Sequence, residues 1–221
     1  MKTVVITGAS DGIGAAIAKR LSKDYVVILC GRDKQRLQAV SKLCNNAKYF
    51  SFDINDSKAR NECFDQIENL DILINNAGVW HKTGELETLS DEKIAEVINT
   101  NLLSQILLTK ALLPKIKEKE GSAIINVISK SGVVAQQGQS VYTASKYGMK
   151  GFTDVLREDT KDYPIRIAAV YQSGTNTKLF SKAGDDFPVE TFTEPDDLAE
   201  VIAFMLSRPN KLWINEVKVE K

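Results

Sequence analysis

Strand-like and helix-like runs alternate from one end of the chain to the other, and few architectures can bury such a pattern. The first strand, residues 2–7, carries Thr3-Val4-Val5-Ile6. Runs apolar at successive positions suit a strand covered on both faces, as in a parallel sheet. Similar runs recur at 25–30, 47–52, 71–75, 122–128, 165–170 and 213–219. Between them lie helical spacings such as Ile13, Ile17 and Leu21. One long helix carries Ile94, Val97, Ile98, Leu102, Ile106 and Leu107. It is expected to start at Ser90-Asp91-Glu92, bend near Asn99 to Asn101, and stop at Pro114 or soon beyond. The pattern predicts an α/β fold: a Rossmann-type, doubly wound, mostly parallel seven-stranded sheet with helices on both faces. At 221 residues, with no linker or repeat, the chain reads as one domain over 1–221.

Bulk properties exclude several function classes. Lys plus Arg is 29 and Asp plus Glu is 29, so the chain has no charge excess that would select nucleic acid or an anionic membrane. No apolar run reaches the roughly 20 residues of a membrane span, and the first residues lack signal-peptide anatomy. Cys30, Cys44 and Cys63 are sparse and odd in number, which fits a reducing cytoplasm better than a disulfide framework. With a single histidine, His81, they make no zinc ligand set, and no metal is expected. His81 lies in the loop spanning 79–90, where a lone histidine reads as solvated and is given no role.

The turn after the first strand reads Thr7-Gly8-Ala9-Ser10-Asp11-Gly12-Ile13-Gly14. At that junction of a doubly wound sheet a pyrophosphate sits on the helix N-terminus, and glycines let backbone amides approach it. Gly8, Ser10, Asp11, Gly12, Ile13 and Gly14 are therefore cofactor candidates. The second strand ends Cys30-Gly31-Arg32, without the carboxylate that an NAD site places there. The Arg32 guanidinium suits a 2′-phosphate, so NADP (as NADPH) is expected over NAD, with Asp11 weakening phosphate binding somewhat. Asp53 and Ile54 follow the third strand, where the carboxylate suits the adenine amine. Asn75-Asn76-Ala77-Gly78 follows the fourth, and Asn75, Ala77 and Gly78 are assigned to the cofactor because small residues admit a flat ring.

Tyr142-Thr143-Ala144-Ser145-Lys146 lies on a helix expected from about Ser140 to Thr160. Residues four apart share a helix face, so Tyr142 and Lys146 point to one spot. An ammonium beside a phenol is expected to lower the tyrosine pKa from about 10 and make it usable as an acid or base.

Together these motifs resemble the short-chain dehydrogenase/reductase family. The resemblance rests on TGASDGIG at 7–14, Asp53-Ile54, NNAG at 75–78, Asn101, Ser129 thirteen residues before Tyr142, and YTASK at 142–146. It implies hydride transfer between NAD(P) and a carbonyl/alcohol pair. Tyr142 would be the general acid in reduction and Lys146 would hold the nicotinamide ribose. Ser129 would bind the substrate oxygen, and the Asn101 backbone would hold a water that resupplies protons. One departure stands out: Gln172-Ser173 replaces the Pro-Gly pair usual after the sixth strand, although Thr175 and Thr177 are retained and assigned to the cofactor.

Residues 178–194 form a short substrate lid with Leu179, Phe180, Phe187 and Phe192. With Trp80, Val133 and Val134 they suggest an open pocket for a small to medium, partly apolar carbonyl compound, or else a minor core. Ala144, Gly148, Gly151 and Val155 line a second face of the Tyr142 helix, predicting a homodimer or homotetramer. The rival function is a regulatory module that binds NADP with little or no turnover.

Overall fold

The computed structural model of the protein describes residues 1–220. Seven strands form one sheet: β1 (Thr3–Thr7), β2 (Val26–Gly31), β3 (Ala47–Ser51), β4 (Ile72–Asn75), β5 (Ala123–Val127), β6 (Arg166–Gln172) and β7 (Glu216–Val219). Their order is β3-β2-β1-β4-β5-β6-β7, and every pairing is parallel. The expected sheet is thus present and wholly parallel. The chain reverses its direction of travel between β1 and β4, so a crevice opens at their C-terminal ends.

Alternation along each strand supplies both cores. Val4 and Ile6 of β1 face the cluster containing Ile17 and Leu21 of α1 (Gly12–Leu21) and Ile202 of α7 (Pro195–Leu206). Val5 faces the opposite cluster, with Phe64 of α3 (Ser57–Asp65), Leu108 of α5 (Ser104–Ile116) and Leu156 of α6 (Ser140–Asp159). Burial on both faces explains the unbroken apolar runs. α2 (Lys34–Ser41) and α3 begin at Asp33 and Asp56, whose carboxylates accept from helical N–H groups. Ser90 caps α4 (Asp91–Ile98) in the same way.

The expected bend near Asn99 is a π-helical stretch, Asn99–Leu103, that joins α4 to α5. A π-bulge widens a helix and is frequent at functional sites. α5 runs through Pro114 and ends at Ile116, so the proline lies in the last turn. β7 is shorter than the run 213–219. Trp213 precedes it, stacked 4.4 Å from the Arg166 guanidinium and donating through Nε1 to the Ile167 carbonyl.

Candidate active site

A cavity of about 390 Å³ occupies the crevice above β1 and β4. Gly8, Ser10, Asp11, Gly12 and Ile13 of the first turn line it. Gly8 and Gly12 have φ of +65° and +52°, a region costly for residues with a Cβ. Gly14 lies beneath them instead: a Cβ there would stand 2.3 Å from the Gly8 carbonyl oxygen. It is a packing requirement of the turn.

Arg32, Asp53 and Ile54 line the cavity just past the ends of β2 and β3. Arg36, which the sequence reading passed over, joins them and points back from α2. Its guanidinium pairs with Asp11 at 3.2 Å and with Asp33 at 3.2 Å. The Lys182 ammonium reaches Asp11 from the far side at 2.9 Å. Burial pushes the Asp11 carboxyl up, but Lys182, the Gly12 N–H and Arg36 outweigh it and hold the group below its ordinary range. Asp11 is therefore a neutralised ion-pair partner, and the carboxylate expected to repel phosphate is already matched by two cations.

On the floor, Ala77 and Gly78 line the cavity and Asn75 does not. The Asn75 amide is buried and turned into the sheet, donating to Asn126 Oδ1 at 2.8 Å and Thr109 Oγ1 at 3.0 Å. The side chain that faces the crevice is its neighbour, Asn76, tied to the Thr7 carbonyl at 2.9 Å. The two asparagines alternate because a strand end sends successive side chains to opposite faces. Thr177 lines the cavity, whereas Thr175 is buried behind it and bridges to Thr193. Gln172 reaches the crevice, and among the described residues the buried Gln172 Oε1 and Ser173 Oγ have no protein partner. The departure from Pro-Gly thus leaves one unpaired polar atom, Gln172 Oε1, on a cavity-lining residue and a second, Ser173 Oγ, on its neighbour.

Tyr142 and Lys146 stand on the cavity face of α6, each 5% exposed. Lys146 Nζ lies 5.6 Å from the Tyr142 ring centroid. Burial pushes the Tyr142 phenol up to about 12, with the Ser129 hydroxyl pulling the other way, and burial brings the Lys146 ammonium down to about 8. The expected lowering of the tyrosine pKa by lysine is therefore reversed. Desolvation is the leading cause of both shifts.

Ser129 follows β5 with φ +152° and ψ +159°, a region that residues other than glycine rarely enter. Such strain costs on the order of 1–3 kcal/mol and gathers at functional sites. Asn101 is buried in the π-helical stretch. It accepts from the Val79 N–H at 2.8 Å, donates to the Val79 carbonyl at 2.9 Å, and donates to Ser145 Oγ at 3.2 Å. A Cβ on Gly78 would lie 3.4 Å from Asn101 Oδ1 and 3.8 Å from Lys146 Nζ. Asn101, Lys146, Tyr142 and Ser129 thus converge at one end of the crevice.

Beside Tyr142 sits an aromatic cluster. The Trp80 ring lies 4.4 Å from that of Tyr142 and 5.1 Å from that of Phe180, and Phe187 and Phe192 close the group. Asp185 accepts from Trp80 Nε1 at 2.6 Å, and from the Thr83 N–H and hydroxyl at 3.0 Å each. Of the two expected arrangements, an open pocket or a minor core, the second is seen: Trp80, 5% exposed, packs the aromatics together. His81 is not solvated: it is 1% exposed, and Nε2 accepts from the Tyr142 backbone N–H at 3.2 Å.

The sequence profile described as short chain dehydrogenase matches residues 2–187. A 3-oxoacyl-[acyl-carrier-protein] reductase FabG of Rickettsia bellii is 31% identical over 217 residues, covering 94% of this chain and 90% of the relative. An NADP-dependent 3-hydroxy acid dehydrogenase of Schizosaccharomyces pombe is 31% identical over 238 residues, covering 99% and 92%. Among solved structures, the closed form of a serine dehydrogenase complexed with NADP+ superposes with a TM-score of 0.91 at 28% identity, covering 98% and 94%. The crevice at the β1/β4 reversal, the buried Tyr142 and Lys146 with the half-buried Ser129 beside them, and these matches together place the chain in the short-chain dehydrogenase family of oxidoreductases.

Proposed function

We propose that the protein is an NADPH-dependent carbonyl reductase in which Tyr142 gives the proton. The observation that carries this reading is the buried Tyr142–Lys146 pair, with the half-buried Ser129 hydroxyl bonded to the phenol, in a crevice that also presents Arg32 and Arg36. The residues suit NADPH. Gly8 and Gly12 leave space for a pyrophosphate over α1, and the two arginines suit a 2′-phosphate. Gln172 lines the crevice and its buried Oε1 has no partner among the described residues, which would suit a carboxamide N–H. The relatives that name NADP support the same choice.

When bound, NADPH supplies the hydride. Negative charge then builds on the substrate oxygen. The Ser129 hydroxyl donates to that oxygen, and the Tyr142 phenol, neutral at physiological pH, transfers its proton there. Lys146 would hold the ribose hydroxyls and return a proton to Tyr142, and the Asn101 carbonyl would hold the water that connects Lys146 to solvent. Donors already aimed at the oxygen stabilise the transition state more than the ground state.

We read residues 1–221 as one such domain, with 178–194 as its lid. The relatives' names put the reacting oxygen on C3 of an acyl compound. Gly151 has nothing within 4 Å of an added Cβ and Val155 is 59% exposed, which supports pairing of α6 with a second copy. Gly148, by contrast, packs on Leu102 of the same chain. Three free thiols support a reducing cytoplasm, and no helix among the described residues is long and apolar enough to cross a membrane.

The test is turnover of NADPH and NADH with acetoacetyl-CoA, ethyl acetoacetate and a panel of aldehydes, ketones and quinones, and of NADP with 3-hydroxybutyrate and L-serine. Turnover preferring NADPH supports the proposal. Tight NADPH binding with no turnover of any compound favours the regulatory module, a reading whose own support is the Trp80 ring packed against Tyr142.

A further inference from the structure

The active-site loop holds a buried titratable group that the mechanism above leaves unused. His81 accepts from the backbone N–H of Tyr142 itself, in the first turn of α6. Gln139, at the N-cap position, makes no side-chain cap bond, so this imidazole does the capping. The first N–H groups of a helix have no partner within it, and one left unpaired in a buried site costs about 1–3 kcal/mol.

The two ring contacts define the tautomer. The Tyr142 N–H can only donate, so Nε2 must be the acceptor. The Lys82 carbonyl, 2.9 Å from Nδ1, can only accept, so Nδ1 must carry the hydrogen. With Nε2 accepting and Nδ1 donating, the ring carries a single hydrogen. His81 does not float on a mobile loop. Two residues earlier Asn101 grips Val79 by both its N–H and its carbonyl, and beyond it the Gly84 N–H donates to the Gly138 carbonyl at 3.1 Å. A Cβ on Gly138 would stand 2.7 Å from Thr83 Cγ2, so loop and helix entry are in close contact. The Trp80 and His81 rings lie nearly parallel, 10° apart.

We propose that His81 is a positioning residue: its neutral imidazole ties the Tyr142 main chain to the Asn101-anchored loop and so holds the phenol on the line of proton transfer. Sliding a catalytic group by about 1 Å can cost about 10²-fold in rate, whereas binding surfaces on either side are left alone. This inference rests on Tyr142 being the proton donor.

The single histidine of the chain makes the test direct. In tag-free protein labelled with ¹⁵N-histidine, near pH 7.5, the ring nitrogens should show Nδ1 protonated and Nε2 bare; an Nε2–H or doubly protonated ring overturns the proposal. In kinetics, with the carbonyl compound of the panel that turns over fastest, His81→Phe should lower kcat by about tenfold or more. KM and the NADPH Kd should stay within about twofold, and His81→Gln, which keeps an acceptor, should recover to within about threefold of the parent. A His81→Phe protein with unchanged kcat, or a His81→Gln protein as slow as His81→Phe, overturns it. If His81→Phe does not fold, the ring tautomer and the His81→Gln rate decide. Tyr142→Phe run alongside separates the two ideas: if it retains turnover, the proton-donor reading fails, and the ¹⁵N result still reports on the cap.

Discussion

The two ends of the crevice are built on opposite principles. At the proposed adenosine end the charges keep contact with water, and two of the cations, Arg36 and Lys182, already share Asp11, whose side chain is 29% exposed. An arriving phosphate exchanges one anionic partner for another, at little desolvation cost. At the proposed reacting end Tyr142 and Lys146 are buried, with Trp80 and Phe180 beside the phenol, and among the described residues no carboxylate balances the lysine. Burial there shifts pKa values instead of screening them. In the proposed reaction, recognition would sit where water helps charges trade partners, and chemistry where its exclusion makes each donor count.

Changes at the reacting end should cost most. Lys146→Met should lower kcat by more than about 10²-fold and also weaken NADPH binding, as steady-state kinetics and cofactor titration would show; a loss in only one of the two would break the dual role. Gly14→Ala should abolish cofactor binding or folding, because its Cβ meets the Gly8 carbonyl; circular dichroism and NADPH titration separate the two outcomes. At the adenosine end Arg32→Ala and Arg36→Ala should each raise the NADPH Kd about tenfold while leaving NADH nearly unchanged, with smaller effects in high salt. Equal losses for both cofactors would erase the contrast drawn here.

A smaller effect concerns pH. Without cofactor, Lys146 gives up its proton near pH 8 when folded and near 10.5 when unfolded. Between those values the unfolded chain binds more protons, so this group makes stability rise with pH. Tyr142 acts in reverse between 10 and about 12, where the folded chain keeps the phenol proton and stability falls as pH climbs. A rise in the unfolding midpoint between pH 8 and 10 that vanishes in Lys146→Met is the expected signature. Smallest of all, Asp185→Ala should lower the melting temperature by a few degrees, about 2–4 °C per kcal/mol, through its three lost bonds to Trp80 and Thr83.

Local patterns proved legible where one residue type has one physical use. Doubly buried strands read as unbroken apolar runs, and the Gly8–Gly14 turn and the Tyr142/Lys146 helix face follow from spacing alone. The misreadings arise where contacts are long-range. Nothing local says that Asn76, and not Asn75, faces the crevice, because that depends on where β4 ends. Arg36 lies on a polar helix like any exposed cation until Asp11 is placed beside it. The buried His81 and Trp80 sit in a loop whose sequence, with Lys82, Thr83 and Gly84 following, looks solvated. Only the return of α6 and of the segment around Asp185 covers them.

The claim on which all of this depends is that the Tyr142 hydroxyl delivers the proton, and Tyr142→Phe removes that one oxygen while keeping the ring against Trp80. Measured side by side, NADPH affinity should stay within about threefold of the parent while turnover of the fastest carbonyl substrate falls by more than about 10³-fold. A variant that reduces the substrate at a near-normal rate would contradict the account.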